Sequence, residues 1–277
     1  MVSIAAITPR GSQGEIDAGA VFELIDYLCS ALKGSSGSIV LFDAAGEYPA
    51  LNPADRSRVL RLAVKRSRVP VMAGVGSATL DLSVDLARAA SDAGAQALLL
   101  PPPYFLPCSQ EDLREFYLHF SVQSVRCPVY LEHLPGFTTP ISADTARNLL
   151  ATGRFAGIVD STGEHTSAGQ QTVFANDRLF ARARCSGSPV ISAAACAAPE
   201  LLLSLDSAIA ANNAPEVERL NGRLNELLDW SNFFPPFTLF RAAAALRRIK
   251  TGPDAMPLSP EKQQRMQEFK EWFTSWK

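Results

Sequence analysis

No stretch of this 277-residue chain approaches the roughly 18 consecutive apolar residues of a membrane-spanning helix. The opening segment Met1–Arg10 also lacks the basic start and long apolar centre of a secretory leader. Cysteine is sparse: Cys29, Cys108, Cys127, Cys185 and Cys196 are odd in number, and no Cys-x-x-Cys or Cys/His cluster occurs. That excludes a zinc ribbon or disulfide framework and points to reduced thiols. Charge of one sign is lacking too, since the net charge is −2. The densest basic run, Arg56, Arg58, Arg61, Lys65, Arg66 and Arg68, follows Asn52-Pro53 and reads as the solvated face of a helix. Without a basic stripe, neither a nucleic-acid nor a membrane partner is expected. The chain is expected to be soluble and cytoplasmic.

What is present is a strand–helix alternation. Short apolar runs fall at Ser3–Ile7, Ser38–Phe42, Val69–Ala73, Ala97–Leu100, Pro128–Leu131, Phe155–Val159, Gln171–Ala175 and Val190–Ser192. Most are apolar throughout rather than alternating, as strands are when helices cover one face and a packed interior the other. Amphipathic stretches lie between them, so the expected class is α/β, a (β/α)8 TIM barrel. Asn52, Ser109 and Ser142, each followed by early acidic residues, mark helix starts, and Gly94 marks a helix end. After Pro199 the pattern is helical alone, over Leu201–Ala211, Pro215–Asp229, Thr238–Lys250 and Pro260–Trp276. This predicts a barrel over 1–212 and a helical extension over 213–277, its apolar Phe269, Trp272, Phe273 and Trp276 packing on the barrel or on a partner. Only Ser161–Gln170 separates the sixth and seventh runs, too short and too rich in Ser, Thr and Gly for a full crossover helix. One outer helix is therefore expected to be missing. The favoured loss is the sixth; the alternative makes Gly163–Asn176 helical and removes the seventh.

The predicted strand ends carry the recognisable segments. Asp43-Ala44-Ala45-Gly46-Glu47 with Leu51, Pro101-Pro102-Pro103-Tyr104-Phe105, Val129-Tyr130-Leu131-Glu132-His133-Leu134-Pro135-Gly136, and Gly157-Ile158-Val159-Asp160-Ser161-Thr162-Gly163 occur in that order, and Val190-Ile191-Ser192 with Pro199 follows. In this order they resemble the G-T-T-G-E, P-P-Y-Y, V-x-L-Y-N-x-P-G, G-x-K-D-S-S-G and V-I-S…P segments of the dihydrodipicolinate synthase/N-acetylneuraminate lyase family. The resemblance implies a carbon–carbon lyase or synthase acting on 2-oxo acids, usually pyruvate. In it a lysine amine forms a Schiff base, a tyrosine moves protons, and a threonine hydroxyl with backbone amides holds the carboxylate.

At the reacting positions this chain departs from that pattern. Val159 stands where the lysine is implied and Glu132 where the tyrosine is, with His133 beside it in place of asparagine. Ala44 and Ala45 replace the threonines, Asp43 a glycine and Phe105 the second tyrosine, and Phe137 falls where many members have an arginine. Lys33 and Lys65 belong to the opposite rim, and Lys250, Lys262, Lys270 and Lys277 to the C-terminal helices, so none is placed to substitute. Alternate strand residues share a face, so Glu132 and Val159 are expected inside the barrel, and His133 and Asp160 toward the helix layer. Asp43, Ala44, Ala45, Phe105, His133, Phe137, Asp160 and Ile191 are the expected surroundings of the pocket. Among apolar neighbours the Glu132 carboxyl should titrate high, either as a general acid or base or as a hydrogen-bonding group.

Adjacent Glu132 and His133 point to opposite faces, so no metal is expected, and no cofactor is implied. His119 reads as a surface or interface residue, His165 as solvated, and Glu47 as a brace for the loop after the second strand. The expected ligand is a small acid and the expected assembly a homo-oligomer, a dimer or an altered tetramer. Three functions follow: a catalytically degenerate or small-acid-binding member, a diverged non-covalent lyase or hydratase working through Glu132, or a structural partner of an active paralogue.

Overall fold

Residues 1–123, 125–166 and 171–276 of the computed structural model are described here. Eight short strands alternate with helices: β1 Val2–Ala5, α1 Ala18–Ala31, β2 Ile39–Leu41, α2 Pro53–Arg66, β3 Val71–Gly74, α3 Leu80–Ala93, β4 Ala97–Leu100, α4 Gln110–Ser121, β5 Val129–His133, α5 Ala143–Ala151, β6 Gly157–Asp160, β7 Thr172–Phe174, α6 Phe180–Cys185 and β8 Val190–Ser192. Every strand pairs in parallel with its sequence neighbour, and β1 pairs with β8 to close the barrel. The expected strands thus all form, β4 and β8 with the expected ends and the others with ends shifted by one or two residues. Thr172–Phe174 being a strand removes the alternative in which Gly163–Asn176 is helical. The favoured loss, that of the sixth helix, falls on residues Ser161–Gln170. The described ones contain no α-helix, and 167–170 lie outside the described residues.

Strand parity sorts the apolar side chains into two cores. Val40, Leu99, Val159, Val173 and Ile191 meet inside the barrel. Their chain neighbours Ile39, Leu41, Leu98, Leu100, Leu131 and Ile158 face outward into the layer beneath the helices. Helix starts are fixed as their sequence signals require. Asn52 accepts from the N–H groups of Ala54 and Asp55, Ser109 and Asp112 form a reciprocal capping box, and Ser142 accepts from Thr145. Gly94 ends α3 at a φ of +89°.

After β8, α7 (Ala194–Ala197) and α8 (Pro199–Ala210) lead to α9 (Ala214–Ser231), α10 (Thr238–Ala245) and α11 (Pro260–Trp276). α10 is shorter than the expected Thr238–Lys250: the chain turns away after Ala245 and Arg248 adopts a left-handed φ of 66°. The aromatic stripe of α11 packs on α9. Phe269 and Phe273 are fully buried, the Trp230 ring lies 5.7 Å from both Phe269 and Trp272, and the Arg223 guanidinium sits 4.6 Å above Trp276. Among the described residues no helix is long and apolar enough to cross a membrane, and all five cysteines are unpaired.

Candidate functional site

The site begins at the end of β2, where two backbones crowd together. A Cβ on Gly74 would lie 1.9 Å from the Phe42 carbonyl oxygen, and Phe42 itself takes a left-handed φ of 59°. This tight turn aims Asp43 into the protein, where its Oδ1 accepts the Gly46 N–H at 3.1 Å. Burial pushes the Asp43 carboxyl up to about 7, against the pull of the N–H groups of Gly46 and Ala45. Ala45 packs in the inner core, while the neighbouring Ala44 is half-buried.

Glu132 comes from β5. Its register partner across β6 is Val159, and its strand neighbours Leu131 and His133 point the other way, so the carboxyl enters the same interior. Glu132 is 3% exposed, and its Oε2 has no hydrogen-bond partner. Burial first, and the Asp43 charge second, hold this carboxyl well above the usual carboxylate range. Among the described residues no cation is a cause of either shift. A protonated Glu132 donates a hydrogen bond; an ionised one accepts. Both carboxyls are thus raised from the ordinary carboxylate range toward neutrality, as proton-transferring groups require. Val159 and Ile191 are buried in the apolar wall beside them. The described lysines, Lys33, Lys65, Lys250, Lys262 and Lys270, are all exposed, none of them inside the barrel.

His133 and Asp160 are paired in register on the outer side of the same two strands. Asp160 Oδ1 accepts from the Thr162 N–H and hydroxyl, and Oδ2 from the His165 N–H at 2.8 Å. Burial alone would raise this carboxyl, but these donors hold it below its ordinary value. They also fold residues 161–165 back onto the barrel, and His165 is buried rather than solvated as the sequence predicts. Its ring meets His133 edge-on at 4.4 Å. His133 Nδ1 accepts the Ile141 N–H at 3.2 Å, which fixes the proton on Nε2. Burial and the neighbouring His165 lower its pKa. Among the described residues no three His, Cys, Asp or Glu side chains are arranged to hold a metal ion. His119 is exposed on α4, as expected.

The rim departs from expectation at Phe105. A left-handed φ of 82° turns it outward and leaves it 88% exposed, so it does not line the interior with Glu132. Tyr104 stays, its ring edge-on to Tyr48 at 5.8 Å. Phe137 is half-exposed and stacks at 6.3 Å on Phe237, which packs against the inner core from the start of α10. Phe237 escapes a sequence reading because it arrives from the C-terminal extension.

Two buried arginines brace the loops around the site. Arg241 donates to Glu47 Oε2 at 2.6 Å and to the carbonyls of Thr8 and Thr251, so Glu47 does brace its loop. Arg56 is not on a solvated face. It is 3% exposed, donates to the carbonyls of Gly74 and Gly76, and lies 5.2 Å over the Tyr48 ring. Burial lowers it to about 10. Arg58 and Arg66, from the same run, are exposed as expected.

A closed parallel (β/α)8 barrel with ionisable groups gathered at the carboxyl ends of its strands is a frame that barrel enzymes share. The model of the dihydrodipicolinate synthetase family matches residues 1–275, and the chain belongs to that family. A 4-hydroxy-tetrahydrodipicolinate synthase of Aromatoleum aromaticum is 30% identical over 276 residues, covering 93% of this chain and 91% of that one. One from Pseudomonas putida is 34% identical over 166 residues, 58% of this chain but only 55% of that protein's length. Among solved structures, the dihydrodipicolinate synthase of Aquifex aeolicus superposes with a TM-score of 0.86 at 25% identity, covering 98% of this chain and 97% of that one. The relationship is therefore to a lyase family.

Proposed function

We propose that this chain is a member of the family that has left Schiff-base chemistry and holds a small molecule non-covalently through Glu132 and Asp43. The observation that carries this reading is the buried Glu132 carboxyl with its unpartnered Oε2, in register with Val159, in an interior that no described lysine enters. On the resemblance, Val159 replaces the amine and Glu132 the phenol. A Schiff base of the family's kind needs a lysine amine, and the described lysines are in solvent. A small acid, the ligand class the family suggests, would have to be met by a protonated Glu132 donating a hydrogen bond.

A second reading is favoured by two carboxyls that burial shifts upward side by side: Asp43, near 7, exchanges protons at working pH next to the raised Glu132, which suits acid–base lyase or hydratase chemistry. The test is a thermal-shift screen of 2-oxo acids and other small organic molecules on the wild type and on Glu132→Gln. Stabilisation that disappears in Glu132→Gln supports the reading. Unchanged stabilisation in the variant would sink it. For any turnover found, an unaltered rate in Glu132→Gln removes the acid–base version.

A further inference from the structure

The same interior carries information about the charge of what enters it. Two carboxyls from different elements face it, Asp43 from the turn after β2 and Glu132 from β5, and one Glu132 oxygen is buried without a partner. The remaining lining is apolar or aromatic: Val159 on β6, Val173 on β7 and Ile191 on β8, with Tyr130 and Phe237 packed against them. The other titratable groups whose charge acts on these carboxyls or responds to them are Tyr48, Tyr117 and Cys196. Burial raises all three, so they are neutral near pH 7. Of the nearby arginines, Arg56 donates to the carbonyls of Gly74 and Gly76, with its Nε unpartnered, and Arg241 to Glu47, Thr8 and Thr251; neither is among the groups that shift the two carboxyls.

We propose that this site holds a small organic cation, a protonated primary amine, between Asp43 and Glu132 in preference to an anionic acid. An anion would be repelled by either carboxyl once ionised, in a low-dielectric interior where no cation among the described residues shifts the two groups. An ammonium supplies the missing charge and donates N–H to the orphaned Oε2, and the aromatic rings of Tyr130 and Phe237 tolerate a cation well. Two carboxyls without a third ligating group among the described residues make a poor coordination set for a metal ion. When the ammonium enters, the Asp43 proton, and any proton then on Glu132, leaves to solvent, so its affinity rises with pH through the range in which Asp43 ionises, about 7.

This inference rests on the non-covalent site proposed above, and one experiment separates the two. Binding of n-propylammonium and of propionate, matched in carbon number, is measured by calorimetry and thermal shift on the wild type, Glu132→Gln and Asp43→Asn. Variant folding is checked by circular dichroism, and pyruvate with borohydride serves as a covalent control. The expected result is propylammonium binding at least about tenfold tighter than propionate at about pH 8, weaker at about pH 6, and lost in both variants. Proton release should appear as a dependence of the binding heat on buffer ionisation. Propionate binding tighter through Glu132 overturns the cation preference and leaves the non-covalent site standing. No propylammonium effect up to about 100 mM, or equal binding by the folded variants, also overturns it. A trapped pyruvate imine would overturn the parent reading instead.

Discussion

Replacing Asp43 by Asn removes a carboxyl that the fold keeps protonated but leaves an amide oxygen to accept the Gly46 N–H. The Asp43 pKa rises from 3.8 to about 7 on folding, with burial as the cause. Between those values the unfolded chain is ionised while the folded one retains its proton, so stability falls as pH rises. Below about 4 both states are protonated and the penalty vanishes; above about 7 both are ionised and it is complete. Three pKa units at 1.36 kcal/mol each amount to about 4 kcal/mol. At roughly 2.1 cal/mol/K of unfolding entropy per residue, a chain of 277 residues converts this to about 7 °C in Tm. Asp43→Asn should therefore melt with the wild type at about pH 4 and up to about 7 °C above it at about pH 7.5. Scanning calorimetry across that range decides the matter. A Tm difference that does not grow with pH, or a variant less stable at neutral pH, would refute the assignment of a desolvated, uncompensated carboxyl.

His133 acts with the opposite sign. Its folded pKa is lowered, so between that value and about 6.5 the unfolded imidazole binds a proton the native one refuses, and stability falls as pH drops. His133→Gln should lose this acid sensitivity, and an NMR titration placing the His133 pKa above 6.5 would contradict it. Arg241→Met strands two carbonyls beneath the loops and leaves Glu47 only the more distant Arg10, 3.9 Å away. It should cost about 3 kcal/mol, read as a lower urea midpoint with unchanged slope, and a loss under about 1 kcal/mol would argue against the brace. Phe105, Leu106 and Phe137 are 88%, 66% and 51% exposed. Covering them predicts a homo-oligomer by light scattering, a dimer or an altered tetramer, and a monomeric wild type would refute it.

Fold and site were not equally legible in the sequence. The barrel could be read because parity and capping are local: Val40 and Leu99 alternate with outward neighbours, and Asn52, Ser109 and Ser142 start their helices by bonds within three residues. Glu132 could be placed inside for the same reason. What escaped depends on long-range partners or on single dihedral angles. Arg56 reads as a surface charge until the carbonyls of Gly74 and Gly76 turn toward it. His165 reads as solvated until Asp160 draws its backbone inward. Phe105 left the pocket on one positive φ, and Arg241 meets Glu47 across most of the chain.

The central claim is that the barrel works without an amine. Borohydride reduction in the presence of pyruvate, followed by intact-mass measurement and peptide mapping, tests it most directly. A lysine-bearing synthase of the family is the positive control, since any imine formed is fixed as a stable secondary amine. The account predicts an unchanged mass for this chain while the control gains the adduct. A stoichiometric adduct mapping to any lysine of this chain would contradict it.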